Sequence, residues 1–385
     1  MNAPTLWTRA HLDALAARSC PTAPVIAAGE VVPVAAGIGV WDAWPVQTLD
    51  GAIHRTKDGF ELWLALATPL FDDPDQRHDH ARIHLFRRRG DEWQHAGPAM
   101  PDGFSPGSRE WSGSAVIDAA GREVTLFFTA AGRRGEAATS FEQRLFAAEV
   151  SLIDDDGAPV LTGWRDLREV VERDPAFYMQ TIDPAGTIGK IKGFRDPAFF
   201  RDPADGAAYL LFTGSDATAR SDYNGVIGIA RAKGAAWQIL PPIITANHVN
   251  NELERPHVIH HAGLYYLFWV TQRHVFDPEG PTGPTGLYGM VSDDLFGNWQ
   301  PLNGSGLVFA NPDQAPAQAY SWFVFPDLSV TSFVDNWGGG DGRRFGGTFA
   351  PFLHLHLEGP RASLREGAMT RDVMTGNAMT GSVGR

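Results

Sequence analysis

The sequence predicts an all-β fold, a propeller or a sandwich, on three observations. Eight short segments have the composition of strands. Turn signals stand between them. Aromatic residues and glycines are abundant, with 23 Phe, 12 Trp and 42 Gly in 385 residues. Aromatic and β-branched side chains suit a pleated, half-buried surface, and glycines at short spacing mark hairpins. No strict repeat is visible and no low-complexity linker divides the chain. Residues 1–385 are therefore read as one domain, with an N-terminal helical segment (1–25) and a polar, Gly/Thr/Met-rich tail (366–385).

Taken in order, residues 5–18 place Leu12, Leu15 and Ala16 near helical spacing, with Thr5 or Thr8 available as a cap. Pro21 and Pro24 end this short helix. The period then changes. Strands are predicted at 61–67, 82–87, 123–129, 208–213, 226–230, 263–270, 286–291 and 328–334. Asp58-Gly59, Ala119-Ala120-Gly121, Asp156-Gly157, Asp205-Gly206 and Ala262-Gly263 supply turns between them.

Composition narrows the function. Lys+Arg 32 against Asp+Glu 45 gives a net charge of −13, which argues against nucleic acid as a partner, since such binding rests on basic patches. A neutral small molecule fits better. The single cysteine, Cys20, allows no intramolecular disulfide. No apolar run is long enough to span a membrane, and the first residues lack the apolar core of a signal peptide. The expected location is extracellular, reached without a cleavable signal, with the cytoplasm as the alternative.

Three acidic motifs stand out. In Val40-Trp41-Asp42-Ala43-Trp44-Pro45, two indoles surround one carboxylate. A sugar ring has an apolar face and a polar edge, and an aromatic wall beside an acid grips such a ring. Alone, the motif reads equally well as a buried strand whose Asp caps a turn. In Gly193-Phe194-Arg195-Asp196-Pro197 the Arg keeps the acid ionised and the Pro fixes the chain after it. Arg201-Asp202-Pro203 repeats this pattern as an ordinary turn. In Asn251-Glu252-Leu253-Glu254-Arg255-Pro256, strand alternation puts both glutamates on one face. Like charges there push one pKa up, as a general acid requires. A retaining glycosidase sets a nucleophilic carboxylate about 5–5.5 Å from an acid/base. Acids this far apart in sequence meet at the axis of a propeller.

Six segments, in order, carry a family resemblance: Leu6-Trp7-Thr8-Arg9-Ala10, Trp41-Asp42-Ala43-Trp44-Pro45, Glu110-Trp111-Ser112-Gly113-Ser114-Ala115, Phe194-Arg195-Asp196-Pro197, Glu252-Leu253-Glu254-Arg255-Pro256 and Gln318-Ala319-Tyr320-Ser321. Together they resemble the levansucrase and inulosucrase family of bacterial fructosyltransferases, glycoside hydrolase family sixty-eight. The resemblance implies a five-bladed β-propeller with a central funnel-shaped pocket, acting on sucrose with retention. It implies that Asp42 attacks the fructosyl anomeric carbon to form a covalent fructosyl-enzyme. Glu254 is then the acid/base and Asp196 the stabiliser that bonds fructosyl hydroxyls. Trp41, Trp111 and Ser112 line the fructosyl pocket, Arg195 and Glu252 bind the glucosyl unit with Arg255 beside them, and Gln318 and Tyr320 sit near the acid/base.

The chain departs from the family pattern at two places. Family members carry Arg or His on the glucosyl side after the Tyr-Leu-Phe strand, where Gln272 falls here, followed by Arg273 and His274. This shifts the expectation toward hydrolysis or short products, an invertase-like β-fructofuranosidase being the alternative to transfer onto sugar acceptors. Calcium-binding relatives carry Asp where Asn251 stands, so neither a metal nor a cofactor is expected. A sugar-binding propeller without catalysis is the remote alternative. His78, Asp79, His80 and His84 are read as a solvated loop, Asp154-Asp155-Asp156-Gly157 as a hairpin turn, and Asn303-Gly304-Ser305 as a turn. Gly338-Gly339-Gly340-Asp341-Gly342 lacks the following Lys of a phosphate loop. His257, His260 and His261 are read as packing residues. Oligomeric state and product linkage are not readable from the sequence.

Overall fold

The computed structural model describes residues 3–16, 20–154, 157–179, 190–234, 236–337 and 344–365. The tail at 366–385, Asp155 and Asp156 of the expected hairpin turn, and Gly338–Gly342 lie outside the described residues.

A short strand, β1 (Thr5–Leu6), precedes helix α1 (Arg9–Ala16). Five antiparallel units follow. Blade I holds β2 (Ile38–Gln47), β3 (Glu61–Pro69), β4 (Arg82–Arg89) and β5 (Glu92–Pro98). Blade II holds β6 (Arg109–Ile117), β7 (Glu123–Ala131), β8 (Gln143–Ile153) and β9 (Val160–Val171). Blade III holds β10 (Phe194–Arg201), β11 (Ala208–Ser215), β12 (Gly225–Lys233) and β13 (Ala236–Thr245). Blade IV holds β14 (Glu254–His261), β15 (Leu264–Thr271), β16 (Gly286–Ser292), β17 (Gln300–Pro301) and β18 (Leu307–Ala310). Blade V holds β19 (Ala319–Val324), β20 (Ser329–Asn336), β21 (Phe345–Phe349), β22 (Leu353–Glu358) and β23 (Arg361–Leu364). The leading strands touch in the order β2, β6, β10, β14, β19 and back to β2. That closed ring makes the chain a five-bladed β-propeller, with a central pocket where the leading strands meet.

The helix expected over residues 5–18 starts later, at Arg9. Thr5 is instead a strand residue paired with Ile244 at the outer edge of blade III. From there the N-terminal segment straps the later blades. The Trp7 indole donates to the Ser305 carbonyl at 2.9 Å, the Ala23 amide to the Ala310 carbonyl at 2.8 Å, and the Thr348 hydroxyl to the Val32 carbonyl at 2.6 Å. Trp7 is 1 % exposed and packs edge-on against Trp269 and Tyr288. Burying an aromatic side chain of this size is worth a few kcal/mol, about 2–3, which is why a terminal segment stays docked.

Every leading strand is bulged near its start. The register against the second strand slips between Trp41 and Trp44, Trp111 and Gly113, Arg195 and Ala198, Glu254 and His257, and Tyr320 and Phe323. In four blades the bulge contains a non-glycine residue with positive φ: Asp42 at 48°, Asp196 at 62°, Arg255 at 48° and Ser321 at 63°. Such backbone is sparsely populated outside glycine and persists where surrounding structure holds it. A bulge re-aims a side chain, and here it turns side chains toward the axis. Blade II solves the crowding differently. A Cβ on Gly113 would lie 1.9 Å from the Phe127 carbonyl oxygen. Gly113→Ala is therefore expected to destabilise the fold by about 1–3 kcal/mol, read as a lowered denaturant midpoint at unchanged slope.

Candidate active site

The bulges bring the three acids of the sequence motifs to one end of the axis, near the starts of their strands. Asp42 accepts a hydrogen bond from the Ser112 hydroxyl at 2.6 Å. Trp41 beside it is 2 % exposed. Arg195 is the hub on the opposite side. Its Nη2 lies 2.5 Å from Glu254 Oε1 and 3.4 Å from Glu252 Oε2, and its Nε lies 3.6 Å from Asp196 Oδ2. The Tyr320 hydroxyl donates to the other Glu254 oxygen. Asp196 Oδ2 accepts from the Thr213 hydroxyl at 3.1 Å and from the Arg255 amide at 3.4 Å. Glu252 precedes β14 rather than lying in it, yet both glutamates reach Arg195, so the shared face expected from alternation is realised through a turn.

Burial governs the protonation states. It pushes Asp196 up to about 7, against the pull of Arg195. It pushes Glu252 up to about 7 in the same way. Burial also acts to raise Glu254, but the Arg195 charge and the Tyr320 and Arg195 hydrogen bonds outweigh it and hold that carboxyl below its usual value. Of the two glutamates, Glu252 is thus the one pushed up and Glu254 the one held down. Glu252, 0.9 Å farther from Arg195, is the one in which burial prevails. A carboxyl whose folded pKa is raised binds its proton more tightly folded than unfolded. Its stabilising effect is therefore present below the unfolded value and is lost as pH rises through the folded one. The thermal midpoint of the sugar-free chain is expected to fall from about pH 4.5 to 7.5, and less so in Asp196→Asn. A midpoint that rises over this range in differential scanning calorimetry contradicts the assignment.

Other motif residues serve the scaffold. Arg255, expected beside the sugar, is 4 % exposed and committed to backbone and hydroxyl acceptors. Its Nη1 donates to the Ser321 hydroxyl at 2.6 Å and carbonyl at 3.2 Å, and its Nη2 to the Ala43 carbonyl at 2.9 Å. It thereby ties blade IV to the bulges of blades V and I. Gln318, expected near the acid/base, accepts from the Ile26 amide at 2.9 Å and donates to the Pro24 carbonyl at 2.7 Å. Its amide pins the N-terminal strap. Gln272 is half-buried just after β15 and Arg273 is exposed. His274, two residues on, is the group that Glu254 senses electrostatically: burial lowers its pKa and the Glu254 charge acts in the opposite direction.

One element was read differently from sequence. Residues 77–80, expected as solvated loop, form a one-turn helix, α2 (Arg77–His80), against the pocket wall. The Arg77 guanidinium lies 4.4 Å over the Phe345 ring and 5.8 Å over Trp41, and the His78 ring meets Trp41 edge-on at 6.2 Å. The signal was Pro74, a helix-starting residue, at the head of the preceding 3₁₀ turn. His84 belongs elsewhere, stacked on His95 at 5.1 Å within blade I. His257 packs on Phe323 at 3.9 Å, and Asn303 sits in a turn at φ 55°. Asp202 of the second Arg-Asp-Pro accepts from the Tyr265 hydroxyl at 2.6 Å and the Ala204 amide at 2.9 Å, a structural turn as expected.

Comparison with known proteins gives the family and the fold. The family model described as "Levansucrase/Invertase" matches residues 1–225 and 220–374. A levansucrase of Rahnella aquatilis is 32 % identical over 407 residues, covering 93 % of this chain and 94 % of that protein. The structure of an inulosucrase from Halalkalicoccus jeotgali bound to kestose superposes with a TM-score of 0.86 at 36 % identity, covering 94 % of this chain and 95 % of that one. The β-fructofuranosidase catalytic domain of Microbacterium saccharophilum K-1 gives a TM-score of 0.84 at 26 % identity, over 95 % and 91 % of the two chains. By sequence, fold and the ordered acids at its axis, the chain belongs to the levansucrase/invertase family of enzymes, glycoside hydrolase family sixty-eight.

Proposed function

We propose that the chain is a retaining, sucrose-cleaving fructosyltransferase working through a covalent fructosyl-enzyme. The observation that carries this reading is the convergence of Asp42, Asp196 and Glu254 on one axis, with Arg195 bridging the last two at 3.6 and 2.5 Å. Asp42, oriented by Ser112, attacks the anomeric carbon of the fructosyl unit. Glu254 gives the departing glucose its proton and later takes one from the acceptor. Asp196 bonds fructosyl hydroxyls more tightly as the ring gains oxocarbenium character. Trp41 and Trp111 wall the fructosyl unit, and Arg195 and Glu252 face the glucosyl unit.

Within the Glu252–Glu254 pair the proton favours Glu252, pushed up to about 7, over Glu254, which Arg195 and Tyr320 hold down. Sugar hydroxyls that take over bonds of Arg195 weaken its hold on Glu254 and let that proton reach the acid position. Activity is therefore expected to fall as pH rises through about 7, where the pair loses its proton. We further propose that His274, whose charge and that of Glu254 act on one another, contributes to the acceptor side, so that transfer to sugar acceptors accompanies hydrolysis. Incubation with sucrose tests the whole reading. Glucose release with less free fructose than glucose is the expected result. Equal amounts leave the hydrolytic alternative, and no glucose at any pH sinks the proposal.

A further inference from the structure

In each blade one residue of the second strand stands opposite the last residue of the leading strand before the bulge. In blades I, IV and V that residue is apolar: Leu66 opposite Trp41, Val270 opposite Glu254, Phe333 opposite Tyr320. In blades II and III it is threonine: Thr129 opposite Trp111 and Thr213 opposite Arg195. Both threonines are 0 % exposed. A buried hydroxyl is unfavourable unless hydrogen-bonded, and three sister blades manage without one, so the two hydroxyls need a reason.

Their bonds cross from blade to blade. Thr129 Oγ1 accepts the Asp196 amide of blade III at 2.9 Å and donates to the Ser112 carbonyl at 3.2 Å. Thr213 Oγ1 donates to Asp196 Oδ2 at 3.1 Å and accepts the Arg255 amide of blade IV at 3.2 Å. Asp196 and Arg255 are the positive-φ residues of their bulges. A bulge interrupts the ladder and leaves its extra residue without a strand partner. Each threonine supplies that partner to the next blade round. The hydroxyl chain thus runs from Asp42 through Ser112 and Thr129 to Asp196, and on through Thr213 to the strand that begins with Glu254.

We infer that Thr129 and Thr213 are positioning residues for the reaction: Thr129 fixes the bulge that presents Asp196 and couples it to the Ser112 strand, and Thr213 fixes the Asp196 carboxylate and the start of the Glu254 strand. This rests on the roles proposed above for the three acids. Thr213 also bears on charge. Asp196 is faced by Arg195 on its own strand, by Glu254 and Arg255 from β14, and by Asp42 from β2. The Thr213 hydroxyl is the neutral side-chain donor to it, beside the Arg255 amide, and it favours the ionised carboxylate.

The test compares Thr129→Val and Thr213→Val, which keep shape and lose the hydroxyl, with Thr129→Ser and Thr213→Ser, which keep it. Steady-state cleavage of sucrose is followed from pH 4.5 to 8.5. The Val variants are expected to lose roughly tenfold to a hundredfold in kcat with a smaller change in KM, and the Ser variants to recover most of it. The acid limb of kcat/KM is expected to move to higher pH in Thr213→Val and to stay in Thr213→Ser. Val variants within twofold of the native chain, or Ser variants as impaired as Val, overturn the inference, as does an unmoved acid limb in Thr213→Val. If a Val variant does not fold, the Ala variant reads the same loss of hydroxyl by the same criteria. A native chain that releases no glucose overturns the functional reading itself, and this inference with it.

Discussion

Asp42→Ala is expected to lower kcat for sucrose cleavage by at least about three orders of magnitude, the scale of losing a nucleophile. The carboxylate is one residue from the buried Trp41 and 2.6 Å from the Ser112 hydroxyl, so it is held, not merely present. Its backbone sits at φ 48°, which Asn tolerates better than Ala. Asp42→Asn is therefore the cleaner variant: it keeps the bulge and removes only the charge that attacks carbon. Both variants are expected to fold, because the closed ring of leading strands does not depend on this carboxylate. Near-native turnover in a well-folded Asp42→Asn chain, checked by circular dichroism, excludes Asp42 as the nucleophile.

Glu254→Gln is expected to lower kcat for sucrose by about 10²–10⁴, the range of general acid–base catalysis. The amide oxygen still accepts from Arg195, and the amide nitrogen meets the Tyr320 hydroxyl, which turns to accept from it, so geometry is largely kept. It cannot deliver a proton to glucose. Two accompanying changes separate this from simple disruption. Turnover of an activated fructosyl donor, whose leaving group departs without a proton, is expected to suffer far less in the first step. The decline in kcat above about pH 7 is expected to disappear, because the titrating pair is gone. Equal loss on both donors, measured by pre-steady-state release of the leaving group, contradicts an acid role for Glu254.

The fold and the site were legible from the sequence in different ways. The eight strands predicted from composition are β3, β4, β7, β11, β12, β15, β16 and β20. These are second and third strands of blades, buried on both sides and rich in aromatic and β-branched residues. None of the five leading strands is among those eight, although residues 40–45 and 252–254 were read as possible strand from their motifs. Their alternation is broken by the bulge, and they carry Asp, Arg, Glu and Pro where a buried strand carries Val or Ile. They announced themselves as chemical motifs instead, in Trp41-Asp42, Arg195-Asp196-Pro197 and Glu254-Arg255-Pro256. The property that hides these strands from a periodicity reading is the property that aims their side chains at the axis.

Site residues divide along a similar line. The acids that converge at the axis, and the aromatics beside them, were nameable from short motifs. The division of labour inside a motif was not. Arg195 and Arg255 each flank an acid of the axis, but the first faces three carboxylates and the second ties two backbone bulges. Which of two glutamates is pushed up depends on how Arg195 and Tyr320 are shared between them, and that sharing arises from tertiary packing. Thr129 and Thr213 carry no motif at all. Their role depends on cross-strand register, and only the register reveals that two blades replace an apolar residue with threonine at equivalent places.

The central claim is that Asp42 becomes covalently bonded to the fructosyl unit. Rapid acid quenching of the native chain during turnover of sucrose, followed by peptide mass spectrometry, addresses it directly. The expected result is a transient adduct of one fructosyl unit on the peptide containing Asp42, absent from Asp42→Asn. An adduct on another carboxylate, or turnover that leaves no adduct and releases products of inverted anomeric configuration, contradicts it.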